Sequence, residues 1–355
     1  MNILIDINHP AHVHYFRNVY KLLTDGGHKV YFVSRNKEIE HKLLTSYHIP
    51  FFNRGKGSNG KIAKFLYLLY ADFKLYSIAR KHKIDLFLNF LHPYPSQVAK
   101  FLRKTSLVFS DSEHAKLHHK LTMPFATKVF TPACYKIDLG EKHIRFKGFM
   151  ELAYLHPCRF KPDPSVLDWL GLAESEKFVI IRFVSWKAVH DHGHSGMTME
   201  NKRRAVQALS KLARVYISSE AELPADLEAF RIKIPFDKIH DALYYSSLLL
   251  GESATMASEA AVLGTPAIFI NSIQLGYLEQ QENQYGLVYN FNDTEKEQEM
   301  AISKAIKILQ DPGSKEKYRT RRAKLLNECI DTTQFMFSEV LKHDPALIHR
   351  FSHDQ

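Results

Sequence analysis

Short apolar runs alternate along the chain with longer stretches in which apolar and polar residues repeat at helical spacing. The first series of runs falls at 3–7, 30–34, 50–53, 85–90, 106–109 and 128–131, and a second at 178–184, 215–218, 248–251, 267–270 and 287–290. Amphipathic stretches at 12–24, 61–81, 199–213 and 254–263 read as helices between them. Strands that are apolar on both faces and alternate with helices predict parallel sheets covered on each side. The series breaks at 149–176, where Pro157, Pro162 and Pro164 interrupt a mixed segment. The pattern therefore predicts an α/β chain of two Rossmann-like, doubly wound domains, residues 1–148 and 177–325, joined by a linker at 149–176. A helical tail, 326–355, is expected to pack back on the first domain. Ligands in such sheets lie outside the carboxyl ends of the strands, here in a cleft expected between the domains.

With 355 residues, two cores are the expectation, and 45% hydrophobic with 24% charged residues is ordinary soluble-protein composition. No apolar run approaches the roughly 20 residues of a membrane-spanning helix. The start, MNILIDINHP, has no basic region and places Asp6 inside its apolar run, which does not read as a signal peptide. Cys134, Cys158 and Cys329 are scattered and lack metal-type spacing, so a reducing cytoplasm is expected. The net charge of +10 points to an anionic partner. Because the basic residues are spread thinly and form no binding module, nucleic acid is not expected.

The stretch LLLGESATMASEAAVLGTPAIFI at 248–270 is the most specific. An apolar run reaches Gly251, small polar residues follow, a helix carries Glu259, and Gly264 and Pro266 end it. That is strand, tight turn, helix and strand, with unpaired amides and the positive end of the helix dipole at the sheet's carboxyl edge. Ser253, Ala254 and Thr255 are expected around a diphosphate there, Glu259 one turn further beside a ribose, and Glu252 and Met256 in the same nucleotide-sugar site. Gln280, in the following segment, is expected within reach of a sugar, and Arg182, ending an earlier strand, within reach of the diphosphate. Ser185 opens the loop SWKAVHDHGHSG, which also enters the expected cleft.

In the first half, Asn8-His9-Pro10-Ala11-His12-Val13-His14 runs from strand into helix. His12 at the helix start is a candidate general base for an acceptor hydroxyl, with His9 and His14 as further acceptor-loop contacts or as caps and packing groups. Asp111 and Glu113 follow the 106–109 run and are candidate acid/base groups, or caps for the next helix. Gly55-Lys56-Gly57-Ser58-Asn59-Gly60 formally fits G-x-G-x-x-G, but it follows the third strand and lacks the acidic ribose partner. A basic loop contacting an acceptor through Lys56 and Ser58 is the plainer reading. The 61–81 helix mixes lysines with Phe65, Tyr67, Tyr70 and Tyr76, which suits either a core helix or contact with an anionic membrane. No D-x-D occurs and the histidines lack spaced acidic or cysteine ligands, so no metal and no cofactor is expected.

These residues resemble the GT-B glycosyltransferase superfamily, and within it a widespread bacterial and archaeal family of predicted glycosyltransferases. DINHPAHVHYFRN, SDSEHA, KGFMELAYLHP, ISSE, the 252–266 block and QYGLVYNF carry the resemblance through nearly the whole chain. The 252–266 block is also similar to the S-E-x-x-x-x-G-x-P segment of the GlcNAc transferase that makes lipid II, where the glutamate matching Glu259 binds the uridine ribose. Ala11-His12-Val13 lines up with G-H-V of that enzyme's first loop, although Pro10 and Ala11 replace its glycines. Non-hydrolysing UDP-GlcNAc 2-epimerases share the architecture and an E-E-x-x-x-L-G-x-P block. This chain lacks their serine-glycine-glycine turn, having Glu252-Ser253-Ala254 instead. The resemblance implies a metal-independent, inverting transfer of a sugar from a nucleotide-diphospho-sugar, UDP-linked, to a hydroxyl of a glycan or lipid-linked acceptor in cell-surface glycan or glycolipid synthesis. The setting it implies is cytoplasmic, peripheral at the inner membrane face. A UDP-sugar 2-epimerase and a non-catalytic nucleotide-sugar-binding protein are the alternatives.

Overall fold

The structure, a computed structural model, describes residues 1–36, 38–57, 61–184, 196–219 and 221–347, with the backbone alone at Lys61, Ile62, Lys64 and Phe65. The chain forms two compact units, Met1–Arg159 with Cys329–Gln355, and Phe160–Glu328.

The first unit holds seven strands: β1 (Asn2–Ile7), β2 (Lys29–Ser34), β3 (Phe51–Asn53), β4 (Leu86–Phe90), β5 (Thr105–Phe109), β6 (Lys128–Pro132) and β7 (His143–Phe146). Their order is β3-β2-β1-β4-β5-β6-β7, and every pair is parallel. The second unit holds β8 (Phe178–Phe183), β9 (Arg214–Ser219), β10 (Leu248–Gly251), β11 (Ala267–Ile270) and β12 (Val288–Phe291) in the order β12-β11-β10-β8-β9, again all parallel. Helices connect nearly all of these strands, so the central ones are buried on both faces and read as unbroken apolar runs: β4 and β10 are buried at every position. Strand order reverses between β1 and β4 in one sheet and between β8 and β10 in the other. The crevice at such a reversal, beyond the carboxyl ends, is where open α/β sheets hold ligands.

Two departures from the sequence expectation have simple causes. β7 is an edge strand with only Phe146 buried, so its sequence, HIRF, carries no apolar run to read. The 149–176 segment is not a bare linker. Leu152–Leu155 is a helical turn with all four side chains buried in the first unit, and the units divide between Arg159 and Phe160. Of the prolines there, Pro157 and Pro164 are exposed and Pro162 is half-buried. Residues 329–355 cluster with the first unit, where Asp331 caps the Thr332–Leu341 helix and pairs with Arg159 at 2.7 Å. Among the described residues, no helix is long and apolar enough to cross a membrane.

Candidate functional site

In the second unit β10 ends at Gly251, which lies opposite Arg182 of β8. A Cβ at Gly251 would sit 2.4 Å from the Arg182 carbonyl oxygen, so glycine is required for the two strands to close. The chain then turns into the Ala254–Leu263 helix with Ser253 as its N-cap, the hydroxyl accepting from the Met256 amide at 3.4 Å. The helix stops at Gly264, whose φ of +85° is the left-handed conformation glycine adopts freely. From Ala257 to Leu263 every residue is buried, whereas Ser253, Ala254, Thr255 and Met256 keep partial exposure. Surface is thus available only at the helix's positive end. The amides of Ala254 and Thr255 have no acceptor among the described residues, which is the arrangement that accommodates an anion.

Glu252 is a correction to the expected ligand shell. Its carboxylate is buried and accepts from the Val184 amide at 2.8 Å and the Met197 amide at 2.6 Å, with Lys202 Nζ 3.3 Å away. It therefore joins Val184 to Met197 rather than facing outward. Ser185, like the rest of that loop, lies outside the described residues. Glu259 is buried too, and its Oε1 meets Nε2 of His240 at 2.9 Å. His240 sits in the Ile239–Tyr245 helix, and nothing in its surroundings in the sequence marks it out. Arg182 Nη1 donates to Ser218 Oγ of neighbouring β9 at 3.0 Å, gathering both groups at the carboxyl edge. Gln280 is half-buried and donates to Gln284 at 2.8 Å. Its neighbour Gln281 is the residue that reaches the Ala254–Leu263 helix, donating to Ser258 Oγ at 2.8 Å.

In the first unit β1 leads into the Pro10–Asp25 helix. His9 is its N-cap, with Nδ1 accepting from the Ala11 amide at 3.2 Å. His14 is packing, stacked on Tyr154 with ring centroids 5.2 Å apart. His12 is buried against Phe90, and its Nδ1 accepts from the Asn8 amide at 3.3 Å. In a neutral ring that contact leaves the proton on Nε2. Asp111 is a second titratable group in this unit. It is buried just past β5, and burial raises its pKa to about 6, Glu113's charge adding to the rise while Ser112, donating to Oδ1 at 2.9 Å, opposes it. Glu113 accepts from the Lys136 amide at 3.1 Å.

A group missed from the sequence lies at the β1/β4 reversal. Asp6 is fully buried between Arg54, whose Nε is 3.1 Å from Oδ1, and His92, hydrogen-bonded to Oδ2. Burial drives the His92 pKa down to about 4, overcoming the pull of Asp6. The guanidinium of Arg54 also lies 4.8 Å over the Tyr94 ring. Three segments far apart in the chain meet here, which local patterning does not register. Lys56 is exposed and lines a groove with Leu66, Tyr67 and Tyr70, while Ser58 lies outside the described residues.

The chain belongs to the family described as protein of unknown function (DUF354), which matches residues 1–343. A relative from Methanocaldococcus jannaschii, the uncharacterized protein MJ0665, is 24% identical over 290 residues, covering 76% of this chain and 81% of that one. Among solved structures, the Neisseria meningitidis UDP-GlcNAc 2-epimerase bound to UDP-GlcNAc is similar with a TM-score of 0.69 at 13% identity, covering 96% of this chain and all of that chain (100%). The Streptomyces sp. SF2575 glycosyltransferase SsfS6 is similar with a TM-score of 0.60 at 12% identity, covering 95% and 99%. At such identities the likeness establishes the fold, two parallel-sheet α/β units of the GT-B kind.

Proposed function

We propose that this DUF354 protein is a metal-independent glycosyltransferase that takes its sugar from a nucleotide-diphospho-sugar, UDP-linked, and passes it to a hydroxyl acceptor. The observation that carries the reading is the half-exposed first turn of the Ala254–Leu263 helix, set at the β8/β10 reversal with the Ala254 and Thr255 amides outward. A diphosphate there is held by backbone dipoles, with Arg182 beside it. The same dipoles stabilise the charge that builds on the departing nucleoside diphosphate. Glu259, oriented by His240, serves the ribose, since a charged acceptor makes strong hydrogen bonds to hydroxyl donors.

The first unit handles the acceptor. As the acceptor oxygen bonds to the anomeric carbon, its proton passes to Asp111, and the bonding pair to the diphosphate leaves with the nucleotide. A carboxyl with a pKa near 6 is ionised at neutral pH yet basic enough for this step. His12 donates through Nε2 to a substrate oxygen. This attack inverts the anomeric centre.

A second reading, 2-epimerisation of a UDP-sugar, is favoured by one observation: the epimerase fold matches more closely, 0.69 against 0.60. Incubation with UDP-GlcNAc in heavy water without acceptor separates the two. Transferase chemistry predicts no deuterium at C2; incorporation there would replace the proposed reaction with epimerisation.

A further inference from the structure

One helix of the first unit wears an apolar face outward. In Lys61–Lys81 the inward side is Tyr67, Ala71, Leu75 and Ala79, all buried at helical spacing. Opposite them Leu66, Leu69, Tyr70 and Phe73 are 59%, 52%, 47% and 71% exposed. Their spacing, i, i+3, i+4 and i+7, aligns them in one stripe. Phe101, 76% exposed at the end of the Pro93–Phe101 helix, packs edge-on against Tyr76 and extends the stripe onto that helix.

Charge around the stripe is mainly basic, with the acidic Asp85 at the Phe101 end paired to Lys104 at 3.1 Å. Arg80, Lys81, Lys100 and Arg103 are exposed beside it, and Lys74 Nζ lies 3.3 Å from the Tyr70 hydroxyl. Asp72 is the sole acidic residue in the Lys61–Lys81 segment, and the Pro93–Phe101 segment has none. Asp72 is set away from the stripe by helical phase, and the charges that act on it are the buried ones of Arg54 and Asp6. A row of large apolar side chains with a mainly basic rim suits a surface that offers hydrocarbon beneath negative headgroups. A protein partner of matching chemistry would need an acidic rim as well as an apolar ridge, and a second copy of this chain would set like charges against each other. No described helix can cross a bilayer, so the contact is superficial.

We infer that the stripe from Leu66 to Phe73, with Phe101 and its basic border, docks on the surface of an anionic phospholipid bilayer. The inference does not depend on the proposed reaction, because lipid contact is read without turnover. The test is co-sedimentation of the full chain with vesicles of phosphatidylcholine alone and of phosphatidylcholine mixed with phosphatidylglycerol. Binding is expected to the mixed vesicles, weakened by added salt. It should fall at least about tenfold in a Leu69→Glu, Phe73→Glu double variant, from loss of buried apolar area and added repulsion. A Lys100→Glu, Arg103→Glu variant, changed only at exposed positions, should lose binding to the mixed vesicles as well. Equal retention of the variants, equal binding to both vesicle types, or no binding at all would overturn the inference. So would a dimer in sedimentation equilibrium that the Leu69→Glu, Phe73→Glu change dissociates, since the stripe would then be a subunit contact.

Discussion

The two units carry the same parallel-sheet plan but build their candidate sites in opposite ways. In the second, the chemistry lies in one continuous stretch, where strand, turn and helix present backbone amides and side chains act mainly as supports. Glu252 joins Val184 to Met197, His240 holds Glu259, and Gln281 ties two helices together. In the first unit the chemistry lies in buried titratable side chains from distant segments: Asp6, Arg54 and His92 at one reversal and Asp111 beyond β5. Backbone dipoles are fixed by the fold and tolerate side-chain change; buried charges depend on every partner. The first unit should therefore respond to substitution through stability and pH, the second through ligand affinity.

The largest effect should come from Arg54→Met. It leaves the Asp6 carboxylate buried without its main counter-charge, and urea denaturation should register a loss of about 3–5 kcal/mol. A loss no greater than that of a surface substitution would mean the cluster is not the keystone described.

Asp111 separates the units by pH. In the folded chain it keeps its proton up to about pH 6, but in the unfolded chain only to about pH 4. Between those values the native state holds the extra proton, so this group's contribution to stability falls as pH rises through the window and is flat above it. Asp111→Asn should therefore gain on the wild type across the window, reaching a difference of up to about 3 kcal/mol above pH 6. His92 slopes the other way. Held down to about 4, it costs stability as pH drops from about 6.5, where the unfolded ring begins to protonate. The wild type should look nearly level between pH 4 and 6, and Asp111→Asn should expose the His92 slope. Denaturation midpoints across pH measure both; a parallel profile for the variant would contradict the buried setting of Asp111.

In the second unit, Glu259→Gln keeps the shape beside His240 but removes the charge. Calorimetry with UDP should show about 1–2 kcal/mol weaker binding. The smallest effect is expected from Ser253→Ala, which removes the helix cap and should lower stability by about 1 kcal/mol in thermal or chemical unfolding.

The same contrast explains what the sequence could and could not reveal. Apolar runs separated by helical stretches predict the doubly wound sheets, and Gly251, Ser253 and Gly264 bracket one helix because turn and cap chemistry is local. The partners of the side chains were not legible. A sequence lists carboxylates without showing which amides or imidazoles they meet, so neither the Val184 and Met197 amides on Glu252 nor His240 beside Glu259 could be read. Gln280 and Gln281 differ by about 100° of helical turn, enough to exchange outward for inward. The Asn8 amide at His12 Nδ1 is set by the fold of the turn and is equally invisible in the sequence. The Asp6–Arg54–His92 cluster spans 86 residues between its outer members, and no periodicity connects them.

The central claim is that a nucleoside diphosphate sits on the first turn of the Ala254–Leu263 helix, and titrating UDP into the wild type and Thr255→Glu in a calorimeter tests it most directly. A carboxylate placed among those amides should repel the diphosphate and weaken binding at least about tenfold, ~1.4 kcal/mol, with the melting temperature of the ligand-free protein little changed. Equal UDP affinity in a folded Thr255→Glu variant, or no binding by the wild type, would contradict it.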